Sequence, residues 1–288
     1  MNVLTFDLED WFHLLDHAAT RTEREWSCFP SRVEPNTHRI LDLLDTRGQR
    51  ATFFCLGWIA RKYSRLVREI AERGHDIGCH SNMHQLVYEI GPKHFALDLD
   101  TAIASVESAS GRRVISYRAP GFSVTHECPW FFDTLLDRGI QIDCSVFRTR
   151  RAHGGLRSFG HAEPEWVRTA TGRIKEFPMN SVKLIGKEVV FSGGGYFRLF
   201  PVTLVRRWMK RSPYVMTYFH PRDFDPDQPI VPGLSWARRF RSYYGLRGAL
   251  AKLDTLLQEF NFVDLETAAS TVDWAKAPEV TVFAPQFA

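Results

Sequence analysis

The sequence holds no CxxC pair and only five cysteines, Cys28, Cys55, Cys79, Cys128 and Cys144. An odd, scattered set argues against a disulfide framework or a structural zinc cluster, so the thiols are expected to be reduced and mostly in the core. No stretch of about 18 uninterrupted apolar residues occurs, and no membrane-spanning helix is expected. The first residues, MNVLTFDLED, put acids where a secretory signal needs a basic start and an apolar run, which leads us to expect a cytoplasmic protein. RNP-type motifs and zinc-finger spacings are missing, so nucleic acid is not an expected partner. There is no linker, repeat or low-complexity tract.

What is present describes a folded chain. Its 288 residues are 44% hydrophobic and 24% charged, a composition and length suited to one domain over 1–288. Net charge is only +4, yet basic residues bunch at Arg148 to Arg151, Arg206 to Arg211 and Arg238 to Arg241. Such bunches are solvated faces, or they attract an anionic glycan, a lipid diphosphate or a membrane surface in peripheral contact.

Strand and helix signals alternate. VLTFDL reads as a strand, and Asn36 to Asp45 as a helix with Ile40, Leu41, Leu43 and Leu44 at helical spacing before Gly48. The strand ATFFCLG is followed by a helix near Trp58 to Arg73, the strand HDIGCHS by a helix near His94 to Ser110, and VISYRAP by a helix near Pro129 to Arg138. IQIDCSV is the next strand. A repeat of about 30 residues with glycine after each helix marks parallel βαβ units, and the unit count favours a barrel over an open sheet. After Val146 come a long polar loop, the strand IKEFP, a hairpin around SGGGYFRL and a short basic helix. The strand YVMTYFH and a helix near Leu246 to Phe260 complete the pattern, leading into FVDL.

Chemistry-bearing residues collect at the carboxyl ends of these strands, where such folds place their sites. His80 and His84 in HSNMH, four apart, fall on one side of a helical turn and can reach one cation. Taken alone, the pair is equally at home exposed or packed. Asp7, Glu9 and Asp10 end the first strand; alternation sends Asp7 and Glu9 to one face, as cation ligands or simply as a solvated strand end or helix cap. A two-His, one-carboxylate site with open positions is one outcome. Arg118 in SYRAPGF, ahead of the Pro120–Gly121 turn, can pair with a carboxylate or sit on the surface. His220 in YFHPRDFDP suits proton transfer, or serves as a core or capping residue.

In order, TFDLED, HSNMH, RAPGF, IDCSVF and FHP resemble the five motifs of the NodB-homology polysaccharide deacetylases, carbohydrate esterase family 4, and span Thr5 to Pro221. The resemblance implies an α/β fold, a distorted (β/α)7-type barrel, with family-specific C-terminal elements over about 222–288. It implies a metal-dependent N-deacetylase acting on an N-acetylated sugar in a polysaccharide, an O-antigen, or a lipid- or nucleotide-linked precursor. By it, Asp7 is the base, His80 and His84 are metal ligands, Arg118 orients the base, and His220 is the acid. Pro120, Asp143 and Ser145 fall on motifs that shape the substrate pocket and support the histidine.

Many members carry adjacent aspartates where this chain has Leu8 after Asp7, which leaves Glu9 or Asp10 as the acidic ligand; alternation ranks Glu9 first. Zinc is the first expectation, with iron, cobalt or nickel open to the same donors. The GGGYFRL and GLSWARRFRSYYGL segments resemble the subgroup found in exopolysaccharide and O-antigen biosynthesis. A deformylase or cyclic amidase on the same fold, a non-catalytic carbohydrate-binding protein and a metal-dependent phosphoesterase are the alternatives. Phe122, Trp130, Trp166, Tyr196 and Phe197 are core residues or a sugar platform.

Overall fold

Thr5–Leu8 and Thr52–Cys55 are buried at every residue, so these strands are covered on both faces. In the computed structural model, which describes residues 1–149, 153–156, 159 and 162–283, they sit in the middle of an α/β assembly. The strands are β1 (Asn2–Val3), β2 (Thr5–Leu8), β3 (Thr52–Cys55), β4 (Asp76–Cys79), β5 (Ser116–Tyr117) and β6 (Ile142–Asp143). They continue as β7 (Glu165–Arg168), β8 (Arg173–Glu176), β9 (Val182–Leu184), β10 (Lys187–Val189), β11 (Val215–Met216) and β12 (Glu279–Thr281). Between them run α1 (Glu23–Trp26), α2 (Val33–Arg47), α3 (Gly57–Lys62), α4 (Ser64–Glu72), α5 (Val87–Ser110) and α6 (Phe131–Asp137). The later helices are α7 (Gly194–Leu199), α8 (Val202–Arg211), α9 (Trp236–Tyr243), α10 (Leu246–Glu259) and α11 (Leu265–Thr271).

The main sheet runs β12-β7-β8-β6-β5-β4-β3-β2, parallel throughout except for the antiparallel pair β7 and β8. Beyond β2 the wall continues: β1 pairs with β11, and Phe6 bridges Phe219. The sheet thus curls toward the expected distorted barrel, but among the described residues no backbone ladder closes it. Side chains span the gap between the β8 segment and β11. The Tyr214 hydroxyl donates to the Pro178 carbonyl at 3.0 Å, and Asn180 Oδ1 accepts from the Met216 amide at 3.0 Å. One hydrophobic cluster extends from Leu4 to Val282.

The helices follow from their apolar spacing. In α2, Ile40, Leu41 and Leu44 are buried, and Gly48 ends it at φ 60, a conformation that favours glycine. Three expectations are corrected. The helix expected over 58–73 is two, because Tyr63 leaves helical space between α3 and α4. The helix expected near His94 begins at Val87, with a break at Gly91 before Pro92. SGGGYFRL is no hairpin: it opens α7, and Gly193 is needed for close approach, since a Cβ there would lie 2.0 Å from the Tyr218 carbonyl oxygen. The hairpin is β9 with β10, turning at Ile185 and Gly186, both at positive φ. Cys55, Cys79, Cys128 and Cys144 are buried free thiols, whereas Cys28 is exposed. Arg150 and Arg151 of the first basic bunch, and 284–288 of the C-terminal elements, lie outside the described residues.

Candidate metal centre and active site

The carboxyl ends of β2, β4, β5 and β11 and the loops that follow them bring six sequence-expected side chains to one place, Asp7, Glu9, His80, His84, Arg118 and His220. Glu9 follows β2, and its Oε2 lies 2.9 Å from Nε2 of His84 while Oε1 lies 3.0 Å from Nε2 of His220. Donor atoms of Glu9, His80 and His84 all fall within 4.8 Å of one another, and all three residues are buried. Despite its approach to His84, Glu9 Oε2 has no partner of hydrogen-bonding geometry among the described residues, which leaves a buried acceptor aimed among imidazole nitrogens. Burial alone would raise the Glu9 carboxyl, but the charges of His84 and His220 hold it well below its usual range.

The histidines converge differently from the expected helical turn. His80 ends β4, and its Nδ1 meets the Arg118 carbonyl at 2.8 Å. Donation from Nδ1 leaves Nε2 as the free acceptor of the neutral ring, and burial pushes this histidine down to about 4. His84 lies in a sharp loop before α5, with Ser81 at φ 66 and His84 at φ 54. The Asp98 carboxylate holds this loop by accepting from the Asn82 amide at 2.8 Å and the Met83 amide at 3.2 Å. Ser81 Oγ accepts from the His84 amide at 3.0 Å. No sequence signal marked Asp98, because it sits on α5, far along the chain from the loop it holds.

Asp7 stands beside this group. Its Oδ1 accepts from Arg118 Nη1 at 2.8 Å, and its Oδ2 is 3.9 Å from His220 Nε2. Arg118 has no solvent exposure; Nη1 also reaches Thr5 Oγ1 at 2.7 Å, and the guanidinium lies over the Phe54 ring at 4.3 Å. Pro120 is buried and opens a tight turn in which Gly121 has φ 60 and packs against Leu15.

His220 has a partner that sequence reading missed. Its Nδ1 and its backbone amide both meet Asp223 Oδ2, at 2.9 and 3.0 Å. Arg198 Nε lies 3.2 Å from the other Asp223 oxygen. Burial opposes ionisation at both residues. Even so, Glu9 and Asp223 hold the His220 imidazolium well above its usual value, and His220 with Arg198 bring Asp223 to about 2. The aspartate three residues past the histidine in HPRD was the available signal, an N-terminal cap on the turn Pro221–Phe224.

Asp10, Asp143 and Ser145 lie apart. The Asp10 carboxylate accepts from the amides of Trp11, Arg32 and Val33 and from Ser31, which places it at the start of α2. Asp143 and Ser145 are fully buried. Ser145 Oγ donates to Asp143 at 2.6 Å and accepts from the Ala119 amide at 2.8 Å, so this pair props the Arg118 loop from below rather than contacting His220. Of the candidate aromatics, Phe122 and Phe197 belong to the core and Tyr196 is exposed.

Asp143 neighbours Glu176 across β6 and β8, and burial followed by the Asp143 charge raises the Glu176 carboxyl well above its ordinary 4.5. The folded protein therefore keeps a proton that the unfolded chain releases above 4.5, and stability falls as pH rises toward the folded value. Glu176→Gln keeps the acceptor for the Val146 amide and removes this linkage. The expected result is an unfolding midpoint about 2–4 °C higher at pH 7.5 and no gain at pH 4, read by calorimetry. An equal change at both pH values would contradict the shared proton.

Residues 17–130 match the family described as "Polysaccharide deacetylase", and residues 144–270 match a "Domain of unknown function (DUF3473)". His80, His84 and Arg118 fall in the first match and His220 in the second. A Mycobacterium smegmatis protein, provisionally described as a polysaccharide deacetylase in its crystal structure, superposes with a TM-score of 0.66 at 18% identity, covering 99% of this chain and 94% of that one. Over 111 residues, 38% of this chain, the sequence is 28% identical to a "Peptidoglycan deacetylase-like protein FGM2" of Gibberella zeae, of which it covers 32%. A 48-residue stretch, 17% of this chain, is 46% identical to a "Peptidoglycan-N-acetylglucosamine deacetylase" of Bacillus cereus, of which it covers 18%. The chain thus spans a third or less of the length of these curated relatives.

Proposed function

We propose, from the match of residues 17–130 to the polysaccharide deacetylase family and the likeness in fold to a crystal structure so described, a metal-dependent hydrolase that removes the acetyl group from an N-acetylated sugar. The observation that carries the reading is the convergence at one strand end of Glu9, His80 and His84, of Asp7 on Arg118, and of His220 on Asp223.

Two imidazoles and one carboxylate, with a buried carboxylate oxygen lacking a hydrogen bond, fit a divalent cation; Glu9 rather than Asp10 is the acidic ligand. Zinc suits these donors first, and iron, cobalt or nickel could replace it. Such an ion supplies Lewis acidity toward an amide carbonyl and toward water. Asp7, paired through Oδ1 with Arg118, accepts the proton of the attacking water through Oδ2. His220, oriented through Nδ1 by Asp223, delivers a proton from Nε2 to the departing nitrogen. The products are acetate and a sugar amine.

Protein loaded with zinc is expected to release acetate from an N-acetylated chitooligosaccharide, to lose activity in dipicolinate, and to regain it with added metal. Glu9→Ala is expected to abolish metal retention, whereas Asp10→Ala keeps the metal and loses about 1 kcal/mol of stability with its helix-start contacts. Protein that binds no metal and turns over no N-acyl sugar would sink the proposal.

A further inference from the structure

Helix α9 has no buried residue, although Trp236 and Phe240 lie on it at the helical spacing of four and Tyr244 follows at the same spacing just past its end. Their exposures are 80%, 43% and 48%. The rings meet in series, Trp236 stacked on Phe240 at 6.0 Å with 18° between planes and Phe240 tilted against Tyr244 at 4.8 Å with 32°. Exposed Ile230, Tyr196 and Leu199 lie on adjoining segments, with the α7 underside joined to α9 through Arg198, which donates to the carbonyls of Arg241, Ser242 and Tyr244. A run of apolar side chains left exposed on one region marks an interaction surface.

Charge identifies the class of partner. No acid occurs between Gln228 and Leu253, while Arg238, Arg239, Arg241, Arg247 and Lys252 do. Arg239 and Arg241 are exposed, and among the described residues neither lies within ion-pair distance of a carboxylate. Arg238 is the tether: its guanidinium donates to the carbonyls of Leu15 and Asp16, and Leu15 packs on Gly121 in the turn after Arg118. The aromatic helix is thereby fastened to the rim of the catalytic end.

Exposed aromatics flanked by exposed arginines, with no acid near them in the chain, suit the headgroup boundary of an anionic bilayer. Among the described residues no helix is long and apolar enough to cross a membrane. We propose that α9 docks the protein on an anionic lipid membrane through Trp236, Phe240 and Tyr244 with Arg239 and Arg241, and so presents the catalytic end to a lipid-anchored N-acetylated sugar. The substrate half of this statement rests on the deacetylase reading; the docking half does not.

Flotation of the full chain with vesicles is the test, using phosphatidylcholine alone and phosphatidylcholine mixed with phosphatidylglycerol. Binding to the anionic vesicles only is expected, weakened by salt. Trp236→Ala/Phe240→Ala and Arg239→Glu/Arg241→Glu should each reduce it about tenfold or more while leaving acetate release from a soluble substrate unchanged. Flotation equal in wild type and both variants, or none at all, overturns the proposal. Retention on an immobilised chitooligosaccharide that is lost in Trp236→Ala, without vesicle binding, overturns it in favour of a glycan surface. Because flotation needs neither metal nor turnover, an inactive protein that still floats contradicts the deacetylase and leaves the docking standing.

Discussion

Asp7→Asn is expected to lower kcat for acetamide hydrolysis by about 10²–10⁴-fold while the metal content stays at the wild-type level. The amide is isosteric with the carboxylate and can still accept from Arg118 Nη1, so the wall of the site keeps its shape. What it cannot do is take a proton from water. Asp7 is 2% exposed and not one of the three clustered donors, which is why loss of rate and loss of metal should separate here. Parallel measurements of kcat and bound metal check this. A kcat within about tenfold of wild type would remove Asp7 from the role of base.

The second large effect falls on stability. Arg118 is fully buried, pairs with Asp7, and is packed over the Phe54 ring. Arg118→Met leaves the Asp7 charge buried without its partner, a change expected to cost about 3–5 kcal/mol in denaturant unfolding. Adding Asp7→Asn removes the stranded charge and should recover part of that loss, giving a non-additive pair. Additive losses in the double variant would mean that the arginine contributes packing alone.

Much of this was legible in the order of motifs. The carboxyl ends of parallel strands are where sites form, so Asp7, Glu9, His80, Arg118 and His220 could be collected from strand signals before any coordinates. The choice between Glu9 and Asp10 was a matter of alternation alone, and the geometry adds a physical ground: Asp10 is engaged by backbone amides at the start of α2. Other features resisted sequence reading for specific reasons. His80 and His84 converge through a loop with two left-handed residues, which the four-residue spacing disguised as a helix. Asp98 and Arg198 act across long sequence separations. The Ile185–Gly186 turn lacked an Asn-Gly signature, whereas the triple glycine that looked like a turn serves a close backbone approach. Glu176 looked like an ordinary charged strand residue, because nothing in KEFP announces a buried neighbour on β6.

The bent segment carrying His84 bears on how the protein would take up the proposed metal. Two non-glycine residues held at positive φ cost on the order of 1–3 kcal/mol each, a strain that folding has already met through Asp98 and Ser81. The imidazoles are therefore poised before any ion arrives, and chelation has little backbone left to order. Metal uptake should then resemble a key entering a finished lock more than a fold completing itself: fast, reversible, and almost silent in the far-ultraviolet circular dichroism of the apoprotein.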